Sequence, residues 1–208
     1  MAGRDDLATD LDGLRLLASA FADRPLDVAA AIPGDLSWTD GSTVFVDADA
    51  PRTQQVQMVA VQASLLAAGS LAPHLVRQLS RRPALAQRYL AIEGRRALAC
   101  NESVLPPVVR RLIDGDAVTS LDTPEAALQL ARSRQAVPAP APVFGTILAR
   151  RILTARTREN DVTTTALLSF MVVAPSRRAT RGGILSKWKR GNLLTRRGPL
   201  DISPESQK

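Results

Sequence analysis

The chain has 208 residues and a formal net charge of +7. Hydrophobic residues make up 45% of it and aromatic residues only 3%, which predicts a domain with an aliphatic core. The single Cys excludes an internal disulfide, and one Cys with one His cannot supply the ligands of a usual zinc site. No apolar run is long enough to span a membrane and no secretory signal is visible, so we expect a cytoplasmic protein.

The charge is distributed unevenly along the chain. Residues 1–145 carry 14 Arg and Lys against 16 Asp and Glu, whereas residues 146–208 carry 13 against 4. This asymmetry predicts a nearly neutral body followed by a basic arm. Arginine supplies 24 of the 27 cations, a bias that a GC-rich coding sequence also produces, so it is weak evidence for nucleic-acid binding.

In the first part of the chain, the spacing of the apolar residues changes from that of a helix to that of short strands. Leu and Phe residues recur at helical spacing over residues 7–21, which predicts an amphipathic helix. The turn signals Pro33-Gly34-Asp35 and Asp40-Gly41 then separate short apolar runs, the last of which is the β-branched run 43–46. We expect two or three short strands in a small hairpin or sheet edge.

The longest apolar segment lies between Pro51 and Gly69. Its apolar residues occupy most of a helical circumference, which predicts a buried helix with Gly69 at its C-terminal cap. Further helices are predicted over 73–80, 83–100 and 107–113, and another begins at Thr123-Pro124. The predicted fold class is mainly α with a small β-hairpin (α+β), in which several helices surround a buried central helix and a disordered basic arm follows.

Alternating prolines over residues 137–143 favour an extended spacer. We therefore predict a helical domain with a small β-element over 1–137 and a Pro-rich linker over 138–143. A basic and apolar extension over 144–174 and a disordered basic tail over 175–208 are predicted to follow.

Motifs of familiar enzyme classes are missing from the sequence, including the P-loop, the dinucleotide fingerprint and the nucleophile elbow. His74 lies at a predicted helix start, where a surface or capping role is expected. Cys100 is predicted to be a buried, inert thiol, and Glu93 and Arg96 an ordinary side-chain pair. We accordingly expect no enzyme activity, no catalytic or metal-binding residue and no cofactor.

Two stretches carry a resemblance to a known family. The first stretch contains WTDG and TVFV between Trp38 and Val46, followed by VQASL from Val61 and GS from Gly69. The second stretch contains PALA from Pro83, YLAIEGRR from Tyr89 and LPP from Leu105. In order and spacing, these motifs resemble the N-terminal region of the nitric oxide reductase activation proteins (NorD-like), which are related to the cobaltochelatase subunit CobT. The resemblance covers roughly residues 5–150.

The resemblance implies that a metal site has degenerated. In that family the buried helix often carries H-Q-x-x-H, and the later helix carries E-D-x-R. The corresponding positions here are Val61, Gln62, Leu65, Glu93 and Arg96, with Gly94 in place of the Asp. Because Val and Leu cannot ligate a metal, the resemblance implies that this helix now serves as core.

The resemblance also implies a partner. Family members typically join this region to a von Willebrand factor A domain and are thought to assist MoxR-type AAA+ ATPases in activating or metallating a target enzyme. The D-x-S-x-S metal motif of that domain is absent, since DISPE from Asp201 departs at Glu205. What the resemblance implies is a non-catalytic adaptor that helps a MoxR-type AAA+ ATPase in the maturation of a target enzyme.

Two other functions stay open alongside a solvated basic tail, which is the simplest interpretation. A nucleic-acid-binding protein would use the cationic cluster of the tail, with a tryptophan to stack on bases: Arg177, Arg178, Arg181, Lys187, Trp188, Lys189, Arg190, Arg196 and Arg197. The same cluster could contact an anionic membrane surface, although the glycines within it disfavour a stable amphipathic helix.

Overall fold

A computed structural model of the protein describes residues 3–113 and 121–158. This part of the chain is mainly helical with a small three-stranded sheet, which confirms the predicted fold class. None of the helices described is both long enough and apolar enough to cross a bilayer. The helices are α1 (Gly3–Ala22), α2 (Arg52–Ala67), α3 (Pro73–Leu79), α4 (Pro83–Cys100), α5 (Pro107–Arg110), α6 (Pro124–Arg132) and α7 (149–158).

The sheet consists of β1 (Asp27–Ala30), β2 (Trp38–Thr39) and β3 (Thr43–Val46) in the order β1-β3-β2. Strands β2 and β3 form the predicted hairpin, whose turn is held by the Asp40 carboxylate as it accepts from the amides of Ser42 and Thr43 at 2.9 and 2.8 Å. Strand β1 adds a parallel edge to β3, which the turn signals alone do not specify. Its path is fixed by Ser19 of α1, whose hydroxyl accepts from the Leu26 amide at 3.1 Å.

Helix α2 lies at the centre of the fold, as predicted. It packs against α1, α4, α5, β3 and the 3-10 turn Pro142–Phe144. The run from Met58 to Leu65 is buried on every side, because small alanines in it let the neighbouring helices approach closely. Gly69 ends the helix at φ +70°, and the amide of Ser70 donates to the Leu65 carbonyl at 3.0 Å, as in a Schellman cap.

The chain that follows the Pro-rich segment packs into the core of the helices. Val143, Phe144, Ile147 and Ile152 are all buried in it. Residues 144–152 of the predicted extension, together with Val143 of the predicted linker, thus share a single core with residues assigned to the helical domain. The predicted tail, 175–208, lies outside the described residues.

Phe144 contacts the backbone of α4 at Gly94. A Cβ atom at residue 94 would lie 2.6 and 2.8 Å from two carbon atoms of the Phe144 ring, closer than real Cβ contacts allow. The Arg95 guanidinium lies 5.5 Å from the centre of the same ring, at cation–π distance. Gly94 is therefore the residue that lets the segment after the prolines dock on α4.

This contact predicts that the effect of a substitution at Gly94 depends on Phe144. Gly94→Ala should destabilise the protein by about 1–3 kcal/mol because the added methyl group overpacks the site. In a Phe144→Leu background the same change should cost clearly less, because the Phe144 ring that the methyl group would contact is gone. What remains is the helix propensity, which favours alanine over glycine by about 1 kcal/mol. Urea denaturation of the four members of the cycle measures this coupling. Equal costs of Gly94→Ala in both backgrounds would contradict the contact.

Candidate functional site

The structure brings the five predicted degenerate positions together in the interior. Val61, Gln62 and Leu65 lie on α2, and Glu93 and Arg96 lie on α4, which packs against it. All five side chains are buried. The Gln62 amide donates to the Phe144 carbonyl at 2.9 Å, so its polar group ties the 3-10 turn to the central helix.

Glu93 and Arg96 form a buried bidentate ion pair at the predicted i,i+3 spacing. The Arg96 Nε donates to Glu93 Oε2 at 2.7 Å, and Arg96 Nη2 donates to Oε1. Glu93 Oε1 also accepts the Ser70 hydroxyl, while the Tyr89 hydroxyl donates to the Ser70 carbonyl at 2.8 Å. Both carboxylate oxygens thus have partners inside the protein, and this cluster joins α4 to the end of α2.

The environment fixes the protonation of this cluster. The hydrogen bond to Glu93 raises the pKa of the Arg96 guanidinium, although burial acts in the opposite direction. Burial, with Glu93 nearby, raises the pKa of the Tyr89 phenol far above its ordinary value. Arg96 therefore stays charged and Tyr89 stays neutral at physiological pH, which suits a structural tie between helices.

We expect that Glu93→Gln destabilises the protein by about 3–5 kcal/mol, because it leaves the Arg96 charge buried without a counterion. The double variant Glu93→Gln/Arg96→Met should recover much of this loss, since no unpaired charge remains. Glu102→Gln serves as the control because Glu102 is exposed; such a surface change should stay within about 0.5 kcal/mol. Chemical denaturation compares the four proteins, and a double variant as unstable as the single one would contradict this account.

His74 and Cys100 both lie at the surface. His74 is exposed, as predicted, and its Nε2 lies 2.9 Å from Glu125 Oε1, a contact that lowers the pKa of the Glu125 carboxyl. Cys100 is exposed rather than buried, so that prediction was wrong: it is the last residue of α4, and its side chain lies on the exposed side of the helix end. Within residues 11–113 and 121–158, whose side chains the structure describes, no three His, Cys, Asp or Glu residues are grouped to hold a metal ion.

A groove of about 930 Å³ lies between the β1–β2 loop, the α3–α4 turn and residues 146–151. We call it the α3–α7 groove. Apolar side chains from all three segments line it, among them Leu36, Trp38, Leu79, Ala86 and Ile147. Its cations are three exposed arginines, Arg81, Arg150 and Arg151, and its one acidic lining residue is Asp35.

The aromatic wall of this groove is a three-layer stack. Trp38 of β2 stacks on its cross-strand partner Phe45, with ring centres 4.1 Å apart and planes 10° from parallel. The Arg151 guanidinium lies 4.8 Å from the Trp38 ring centre, which attaches α7 to the sheet by a cation–π contact.

The backbone next to the groove is fixed by a close contact between Gly145 and Ser37. This residue has φ +73°, and a Cβ there would lie 2.0 Å from the Ser37 carbonyl oxygen. The next amide, that of Thr146, donates to the same oxygen at 2.8 Å. The groove wall is thus set by hydrogen bonding and packing, so it does not need a ligand to form.

A groove of this composition can bind a segment that carries acidic groups around an apolar side chain. Leu36 is 47% exposed, so its side chain is available to a partner. Neither Arg81 nor Arg150 pairs with a carboxylate in the part of the chain that the structure describes. Acidic groups of a partner would therefore meet unpaired cations.

The sequence prediction missed this groove. Its residues come from three segments far apart in the chain, and the signals available were an isolated Trp38 and the pair Arg150-Arg151. The tail residues predicted to contact nucleic acid or an anionic surface, from Arg177 to Arg197, all lie outside the described residues.

Comparison with protein-family models, with curated proteins and with solved structures found no match to this chain. The similarity to NorD-like proteins therefore rests on the sequence motifs alone. A function for the protein has to be argued from the chemistry of its surface and interior.

Proposed function

We propose that the protein is a non-catalytic interaction module that binds a protein partner in the α3–α7 groove. The observation that carries this proposal is the contrast between the two regions. The five positions that the resemblance matches to a metal motif are occupied by core residues and a saturated ion pair, whereas the groove presents exposed Leu36 and three exposed arginines. The groove, unlike the buried cluster, therefore offers side chains that a protein partner can contact.

The resemblance to NorD-like proteins supplies the kind of partner. We propose a MoxR-type AAA+ ATPase, which the module would assist in the maturation of a target enzyme. The occupant of the groove would be a segment with acidic residues flanking an apolar anchor. Charge complementarity with Arg81 and Arg150 would speed and orient its association, and burial of the anchor against Leu36 would add affinity.

A charge reversal in the groove tests this proposal. We expect the variant Arg81→Glu/Arg150→Glu to weaken binding of a purified MoxR-type ATPase by about tenfold or more, because two attractive contacts become repulsive. Leu36→Asp should weaken it through the lost apolar contact. Arg134→Glu is the matched control, since Arg134 is exposed and does not line the groove. Biolayer interferometry with ATP present and nuclease added gives the four affinities.

Two outcomes would count against the groove. Equal binding by the groove variants and the Arg134→Glu control would show that the ATPase, if bound, sits elsewhere. Binding that nuclease abolishes, and that Arg196→Glu/Arg197→Glu weakens while the groove variants do not, would favour a nucleic-acid-binding protein acting through its basic tail. Such binding would also fall steeply with salt concentration.

A further inference from the structure

A second cleft, of about 530 Å³, lies where the hairpin turn, α3, α7 and the loop after α1 meet. Three of its lining residues are arginines: Arg24 from the loop after α1, Arg77 from α3 and Arg156 from α7. No acidic residue lines it, and the remaining lining residues are Gly41, Pro73, Leu153 and Thr157. None of these residues belongs to the α3–α7 groove.

Two of the three guanidinium groups converge on Gly41 in the hairpin turn. The Arg24 guanidinium donates to the Gly41 carbonyl. Arg156 Nε lies 3.8 Å from the position that a Cβ of residue 41 would occupy. The same two arginines also line an adjoining cavity of about 370 Å³ that reaches the end of α2 at Gly69. The hydrogen bond to Gly41 thus anchors Arg24, and Arg156 lies at the same turn.

The positive charge of this cleft is not neutralised from within the described chain. The nearest carboxylate in sequence, Asp40, accepts hydrogen bonds from the Ser42 amide, the Ser42 hydroxyl and the Thr43 amide. Among the side chains that the structure describes, those of residues 11–113 and 121–158, Arg77 and Arg156 have no carboxylate partner. Like charges that lie this close repel one another, and a bound anion would attract each of them and offset that repulsion.

We propose that this cleft binds the phosphoryl group of a small organic phosphate. The guanidinium group is planar and presents paired donors that match the oxygens of a phosphate, and several arginines from different elements can surround one anion. Pro73 and Leu153 provide an apolar wall for the organic part of the ligand. The volume falls within the range of about 300–1,000 Å³ that is usual for small-molecule sites.

Titration with sodium pyrophosphate at constant ionic strength tests the site on the full chain. By isothermal calorimetry we expect saturable binding, weakened about tenfold by Arg77→Gln and by Arg156→Gln, each of which removes one charged donor. Arg134→Gln should change the affinity less than about twofold, because Arg134 is exposed and lies outside the cleft. Thermal melts should show that both cleft variants fold and that pyrophosphate raises the Tm of the wild type more than theirs.

The proposal would be overturned by the absence of saturable binding up to millimolar pyrophosphate, or by equal weakening in all three variants. Binding of a single-stranded oligonucleotide without binding of pyrophosphate would also overturn it, and would make the cleft part of a nucleic-acid surface. The result is independent of the partner proposed above, since neither Arg77 nor Arg156 lines the groove and their variants should leave ATPase binding unchanged.

Discussion

The docking of Phe144 between α2 and α4 is the interaction on which the rest of the described structure depends. Its ring lies on the backbone of α4 because Gly94 has no side chain, and its carbonyl satisfies the buried amide of Gln62. A buried amide without a partner would be costly, so the position of the turn is held by packing and by hydrogen bonding together. The path of Gly145 and the start of α7 follow from that position. Because α7 lines both the α3–α7 groove and the arginine cleft, both surface sites depend on this internal contact.

The polar residues of the interior serve to join helices. Glu93, Arg96 and Ser70 form hydrogen bonds to one another where the end of α2 meets α4, so both buried charges have partners within the protein. Val61 and Leu65 of the central helix are buried apolar residues that extend the core beside this cluster.

The basic residues are grouped differently on the folded surface than they are along the sequence. The sequence indicates a neutral body up to residue 145 and a basic region after it. In the structure the first part of that basic region is α7, whose arginines lie on the body beside Arg24, Arg77 and Arg81. Dispersed cations thus become two local basic sites, each next to apolar surface. Fields of this kind attract anionic groups at a distance and orient them before contact.

Local patterns in the sequence were sufficient for the helices, the buried character of α2, the Gly69 cap and the β2–β3 hairpin, because spacing and turn chemistry act over a few residues. Exposure at Cys100 was predicted wrongly, since the burial of a helix end depends on where the next segment goes. The parallel strand β1, the docking of Phe144 and both surface sites were decided by tertiary structure alone. Each of them joins residues far apart in the chain, and no short-range pattern specifies which distant segments will meet. What the sequence did determine is that Gly94 leaves room for a neighbour; which side chain fills that room is a property of the fold.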